Sequence, residues 1–302
     1  MFMPQIISGN AIASKIYEEL EGRIERIKKE KAGTPGLAVI LIGDNPASRV
    51  YVSMKTKKCN QLGVLSEEFT LPKDVSEKNV LQLIAELNNR KDIDGILVQL
   101  PLPEHLNENK ILTAVCPSKD VDGFHPLNAG KLLIGQPAFI PCTPLGVWVM
   151  LIESGFSPEG KHVVIVGRST IVGKPLMSIL CQKKKFANAT VTLCHSRTNN
   201  LPEIARSADI LIAAIGRPKF ITRDMVKQDA VVIDVGINRV DNPSLPRGYE
   251  LVGDVDYDDV LPVVSAITPV PGGVGPMTIA MLMRNTVQSC EEKAGIILHN
   301  LY

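Results

Sequence analysis

The sequence is poor in several things, and each lack closes a class of function. Aromatic residues make up only 4% of the 302 residues, too few for the stacking platforms that hold single-stranded bases. The formal net charge is +1, so no overall field draws the chain to nucleic acid or to an acidic membrane surface. None of the six cysteines (Cys59, Cys116, Cys142, Cys181, Cys194 and Cys290) stands in C-x-x-C spacing, and the five histidines include no H-x-x-x-H pair. The sequence therefore predicts no metal site. A chain this long folds without disulfides, so the thiols read as free in a reducing cytosol. No apolar run approaches the ~20 residues that span a bilayer. The start, "MFMPQIISGN", lacks the basic-then-apolar order of a signal peptide, and a cytoplasmic location is expected.

What is there is an ordinary globular composition, 45% hydrophobic and 22% charged, in a length that predicts two domains. Asn10 reads as the cap of a helix with Ile12, Ile16, Leu20, Ile24 and Ile27 on one face. "LAVILIG" and "GILVQLPLP" read as strands buried on both sides, with helices from about Pro46 to Leu62 and from Ser76 onward between them. "EEFTLP" is a weaker strand. Residues 117–142, rich in Pro, Gly, Asp and Asn, read as loop. Thr143-Pro144 has the pattern of a cap and first turn, with Gly155 closing that helix. From Lys161 the strands "HVVIVG", "ATVTLC", "DILIAAIG" and "AVVIDVGI" alternate with helices, which predicts a doubly wound parallel sheet. Lys183–Lys185 is expected at the end of the helix "PLMSILCQKKKF", where cations complement the dipole. "DNPSLPRGYE" reads as a variable hairpin without chemistry, and a last helix is expected from about Met277 to Lys293.

"HVVIVGRSTIVGKPL" places a glycine loop between a buried strand and a helix. The spacing from Gly167 to Gly173 is one residue too long for a Walker A loop, and Pro175 stands where that loop needs a hydroxyl. Nor is the loop G-x-G-x-x-G. Its context still favours a dinucleotide, because helix N-terminal amides attract an anion; the alternative is a tight turn that needs glycine for its backbone alone. The second strand ends in "HSRT" and carries no carboxylate for a ribose 2′-hydroxyl. Ser196 and Arg197, with Arg168, suit a 2′-phosphate instead, which predicts NADP.

"YVSMK" puts Tyr51 and Lys55 on one helix face, a pairing suited to acid–base work. Short-chain dehydrogenases also use Tyr-x-x-x-Lys, but after their cofactor loop rather than before it. Gln99 stands at the carboxyl end of a buried strand, Asp120 and Asp122 in the loop "KDVDGFHP", and "TPVPGGVGPMT" leads into the last helix. Each has a bland reading as a satisfied amide, an Asx-turn or a helix start.

Together, and in order, "YVSMKTKKC", "GILVQLPLP", "KDVDGFHP", "IPCTPLG", "VVIVGRSTIVGKP" and "ITPVPGGVGPMT" closely resemble the bifunctional methylenetetrahydrofolate dehydrogenase/methenyltetrahydrofolate cyclohydrolases over nearly the whole chain. The resemblance implies an α/β fold of two α/β domains around a cleft. A folate-binding catalytic domain would take residues 1–142 and 276–302, and an NADP-binding Rossmann-like domain residues 143–275. It implies a homodimer of the compact form, without the synthetase domain fused to some members. It implies Lys55, Tyr51, Gln99 and Asp122 as catalytic residues. Tyr51 would stack on the folate, Asp122 would accept the pterin's N–H groups, and Gln99 would hold Lys55. Ser48, Pro271 and Gly272 complete the substrate set. The implied cofactor set is Gly167, Arg168, Ser169, Thr170, Ile171, Ser196, Arg197 and Ile237. A dehydrogenase-only relative and a non-catalytic NADP-binding protein are the rival expectations.

Overall fold

A computed structural model of the chain describes residues 3–30, 33–245 and 248–296. In chain order its first elements are β1 (Gln5–Ile6), α1 (Gly9–Lys29), β2 (Gly36–Ile42), α2 (Pro46–Leu62), β3 (Leu65–Leu71), α3 (Glu77–Asn89), β4 (Gly95–Val98), α4 (Glu108–Ala114), α5 (Pro126–Leu133) and α6 (Cys142–Glu153). They continue as β5 (His162–Val166), α7 (Gly173–Leu180), β6 (Thr190–Cys194), α8 (Leu201–Arg206), β7 (Ile210–Ala213) and β8 (Val231–Asp234). The last are β9 (Asn238–Asp241), β10 (Tyr249–Val252), α9 (Tyr257–Val260), β11 (Ala266–Ile267) and α10 (Val274–Ala294). The chain forms two compact units, one from Lys15–Cys142 with residues 279–296, the other from Thr143–Thr278 with residues 3–14. Among the described residues, no helix is long and apolar enough to cross a membrane.

The first unit is built on a parallel sheet in the order β3-β2-β4. β2 is its centre, and all seven of its residues are buried, as its unbroken apolar run requires. The stripe Ile12, Ile16, Leu20, Ile24 and Ile27 of α1 is buried as its spacing predicts. Its cap is Ser8, however, whose Oγ accepts the N–H of Ala11; Asn10 lies inside the helix. Ser76 does cap α3, accepting the N–H of Asn79. β4 is shorter than the apolar run implies. Gln99 still donates its N–H to Ile40, but Pro101 and Pro103 have no N–H to extend the ladder. The stretch 117–142 is not all loop: His125 and Pro126 start α5, with His125 Nδ1 accepting the N–H of Leu127.

The second unit holds a six-stranded, wholly parallel sheet in the order β1-β11-β8-β7-β5-β6. Chain order reverses at β5, the mark of a doubly wound sheet. β1 corrects the sequence-based boundaries, because residues 5–6 pair with 266–267 and so join this sheet rather than the other. A strand of two residues has too few positions to show a period, so its local pattern is silent. α6 starts at Cys142; Thr143 does not cap it, and its Oγ1 meets Thr278 Oγ1 at 2.9 Å. Gly155, at φ +82°, lies just past the end of α6. α7 stops at Leu180, so the lysine run lies beyond the helix, with Lys184 Nζ 4.3 Å above the Trp148 ring. β9 and β10 form the antiparallel hairpin expected around 241–250, of which residues 246–247 lie outside the described part.

Candidate active site

Ser48, Tyr51 and Lys55 follow one another at intervals of three and four on α2, so they share a face. Ser48 is buried, Tyr51 half-buried, and Lys55 retains 7% exposure. Lys55 Nζ donates to Gln99 Oε1 at 2.9 Å. The amide of Gln99 is itself fixed, since its Nε2 donates to the carbonyl of Leu100 at 2.8 Å. With the nitrogen engaged, the oxygen is left to face Lys55. β4 supplies the rigid support by ending one residue before Gln99.

Asp122 enters the same group through charge. Burial pulls the Lys55 ammonium below its ordinary range, and Asp122 and Cys142 oppose that pull. Burial raises the Asp122 carboxyl, while Lys55 and a hydrogen bond with Cys142 hold it down. The Cys142 thiol is driven well above its usual value, by burial first and then by Asp122. Desolvation makes Lys55 a readier proton donor than an exposed lysine, while the neighbouring carboxylate keeps part of the charged form in place.

Cys142 is the residue that sequence reasoning missed. It stands in the quoted stretch "IPCTPLG", but a lone cysteine reads as a buried thiol. Asn285 of α10 fixes this corner, donating from Nδ2 to the carbonyls of Val121 (2.8 Å) and Ile140 (3.1 Å) and approaching Cys142 Sγ at 3.8 Å. No local pattern links positions so far apart in the chain.

Asp120 has a different part from Asp122. It is buried, and its carboxylate accepts the N–H groups of Phe124 (3.1 Å) and His125 (2.8 Å) and Nδ2 of Asn128 (2.8 Å). It ties down the loop that carries Asp122. Asp120→Ala is expected to cost about 3 kcal/mol of stability, because buried donors lose their acceptor. Urea unfolding of the variant measures it, and an unchanged midpoint would remove this role.

Beyond the carboxyl ends of β2 and β4 a pocket of about 430 Å³ is lined by Gly43, Asn45, Lys73, Pro101, Leu102 and Pro103. Such sheet ends are where ligands of parallel α/β sheets bind. Pro271 and Gly272 lie in the other unit, on the lead-in to α10. There Gly272, at φ +99°, accepts the N–H of Asn10 through its carbonyl.

In that unit the glycine loop joins β5 to α7. Gly167 has φ +140°, and a Cβ there would lie 2.1 Å from the carbonyl oxygen of Ala214. A Cβ on Gly173 would lie 1.9 Å from the carbonyl oxygen of Gly167. Both glycines thus serve the close passage of backbone past backbone. Four of the five residues between them, Arg168, Ser169, Thr170 and Ile171, are exposed, and Val172 is half-buried. Ser169 organises the turn by accepting the N–H of Val172 on its Oγ and that of Lys174 on its carbonyl. Val172 gives α7 no side-chain cap, which leaves the helix start open to an anion. Val166 of β5 is paired with Cys194 of β6, so Arg168 and Ser196–Arg197 leave neighbouring strand ends. Both guanidinium groups are exposed, and neither has an ion pair among the described residues. Ile237, also exposed, follows β8. The loop at the start of α7 and the two guanidinium groups suit a dinucleotide phosphate.

Comparison with known proteins also divides the chain in two, with boundaries that assign α10 to the second match. Residues 7–122 match the family described as tetrahydrofolate dehydrogenase/cyclohydrolase, catalytic domain, and residues 141–294 its NAD(P)-binding domain. The bifunctional protein FolD of Dehalococcoides mccartyi is 53% identical over 293 residues, covering 97% of this chain and 98% of its own. The crystal structure of the bifunctional FolD methylenetetrahydrofolate dehydrogenase/cyclohydrolase of Campylobacter jejuni superposes with a TM-score of 0.90 at 46% identity, over 96% of this chain and 99% of its own. The Trypanosoma brucei dehydrogenase-cyclohydrolase, complexed with NADP cofactor and inhibitor, gives 0.92 at 36% identity, over 97% and 99%. Matches to both of its domains, along nearly the full length, make this chain a member of the tetrahydrofolate dehydrogenase/cyclohydrolase family.

Proposed function

We infer that the chain oxidises methylenetetrahydrofolate to methenyltetrahydrofolate with NADP and then hydrolyses the product to formyltetrahydrofolate. The observation that carries this reading is the buried Lys55 held on Gln99 and balanced against Asp122. A dehydrogenase alone has no use for a desolvated lysine, because the nitrogen lone pair next to the methylene carbon drives hydride loss without a base. NADP, when bound, supplies the hydride acceptor.

Hydrolysis needs more from the chain. Water adds to the methenyl carbon and loses a proton, then a carbon–nitrogen bond breaks and its nitrogen takes a proton. Lys55 is the group for these transfers. Gln99 holds its Nζ in place, Asp122 accepts the pterin's amino and ring N–H groups, and Tyr51 stacks on the folate's aromatic middle. Ser48, Pro271 and Gly272 line the substrate. On the cofactor side Gly167–Ile171 take the phosphates, Ser196 and Arg197 the 2′-phosphate, and Ile237 the ring end.

Absorbance of the purified protein with methylenetetrahydrofolate, once with NADP and once with NAD, tests both steps. NADPH forming with little methenyl build-up supports them; persistent methenyl leaves a dehydrogenase only. Arg197→Ala is expected to raise the KM for NADP about tenfold, the loss of one charge-assisted contact, with little effect on NAD. An equal effect on both would contradict the 2′-phosphate role.

The same reading makes the protein a cytoplasmic homodimer. All six cysteines are free thiols, which supports a reducing compartment. Dimerisation rests on family resemblance, and light scattering at twice the chain mass is the expected result.

A further inference from the structure

At the carboxyl ends of β7 and β8 lie two buried carboxylates that the roles above leave unused. Asp254 has no exposure and Asp234 only 3%. Asp254 Oδ2 accepts the N–H groups of Ile215 (2.6 Å) and Gly216 (2.8 Å). Its Oδ1 accepts the N–H of Arg217 (3.0 Å) and Nδ2 of Asn238 (2.8 Å). Asp234 holds Asp254 from behind, accepting the N–H groups of Gly236, Asp254 and Val255, each at 2.9 Å. Thr268 Oγ1 accepts the N–H of Asp234 at 2.7 Å.

The glycines around the pair fit this arrangement. A Cβ on Gly236 would lie 2.2 Å from Asp254 Oδ1, and one on Gly253 1.7 Å from Asp234 Oδ2. Neither position has a positive φ, so glycine is required by the carboxylates and not by the turn. Four donors converging on one side chain select an acceptor-only group. An amide would present one of them with its own N–H.

What Asp254 joins is the loop after β7 and the start of β9. Both lie on the side of β5 away from β6. In a doubly wound sheet β5–β6 serves one mononucleotide half, and the strands across the reversal serve the other. Gly216, at φ +73°, and exposed Ile237 sit on these two segments.

We propose that Asp254 is a positioning residue of the dinucleotide site, clamping residues 215–217 to Asn238 so that Gly216 and Ile237 make a fixed floor for the nicotinamide half. The proposal rests on the NADP reading. It implies that the clamp acts on one half of the cofactor and leaves the adenine half alone.

Titration calorimetry on the full chain tests it with two ligands, NADP and adenosine 2′,5′-bisphosphate, which lacks the nicotinamide. Asp254→Asn is expected to weaken NADP about tenfold or more, and Asn238→Ala, which removes one donor, by a smaller factor. The bisphosphate should bind both variants as it binds the wild type. Equal weakening of both ligands would mean a general disturbance of the unit and would overturn the proposal. So would unchanged NADP affinity in both variants. If Asp254→Asn fails to fold by thermal unfolding, Asn238→Ala carries the test alone. A wild type that binds neither ligand would overturn the cofactor reading itself.

Discussion

Lys55→Met is expected to lower methenyl hydrolysis by at least about two orders of magnitude, the usual share of a positioned acid–base group, while hydride transfer survives in some measure. Methionine keeps the length and apolar stem of lysine. Removing the cation leaves Asp122 buried without its counter-charge, so its carboxyl is expected to take up a proton, and thermal unfolding of the variant checks that the fold holds. The two steps therefore separate in one variant. Methenyl should accumulate when methylenetetrahydrofolate and NADP are supplied, seen as its own absorbance beside that of NADPH. The pH profile gives a second readout. Burial lowers the Lys55 pKa, so the neutral amine that can take a proton from water gains population as pH rises through that lowered value. Enzymatic hydrolysis in the wild type should climb accordingly, and the variant should lose that limb. Full hydrolysis by the variant would take Lys55 out of the mechanism.

Asp122→Ala is expected to weaken folate binding by about a hundredfold, the worth of paired hydrogen bonds to a charged acceptor. Because Asp122 also opposes the desolvation of Lys55, its loss should push the lysine pKa lower still. The variant should then show a raised folate dissociation constant together with a hydrolysis profile displaced to lower pH. Unchanged folate affinity would contradict the pterin assignment, and a changed affinity with an unmoved profile would uncouple Asp122 from Lys55.

Much of the fold was legible in the chain because its signals are local. "LAVILIG" is buried along its whole length, and the α1 stripe faces inward. The regular alternation after Lys161 became a parallel sheet. The corrections share one cause. Ser8, not Asn10, caps α1, and Thr143 faces Thr278 instead of capping α6. At α1 both Ser8 and Asn10 could serve, and the N–H of Asn10 goes instead to the distant carbonyl of Gly272; at α6 Thr143 is drawn to Thr278. The lysines 183–185 lie past α7 because residues 181–188 turn back, with the N–H of Asn188 on the carbonyl of Gln182.

At the site, the spacing of Ser48, Tyr51 and Lys55 settled which side chains share a helix face, since the period of a helix is fixed by its backbone. The end of β4 settled where Gln99 stands. Tertiary structure alone decided that the Gln99 oxygen faces Lys55, that Asp120 braces the loop while Asp122 meets Lys55, and that Cys142 and Asn285 complete the corner. It alone brought residues 5–6 into a sheet with 266–267 and put four donors on Asp254. Periodicity carries information over a few residues. A buried carboxylate finds its donors wherever the folded chain leaves N–H groups in want of an acceptor, and no spacing in the sequence records that.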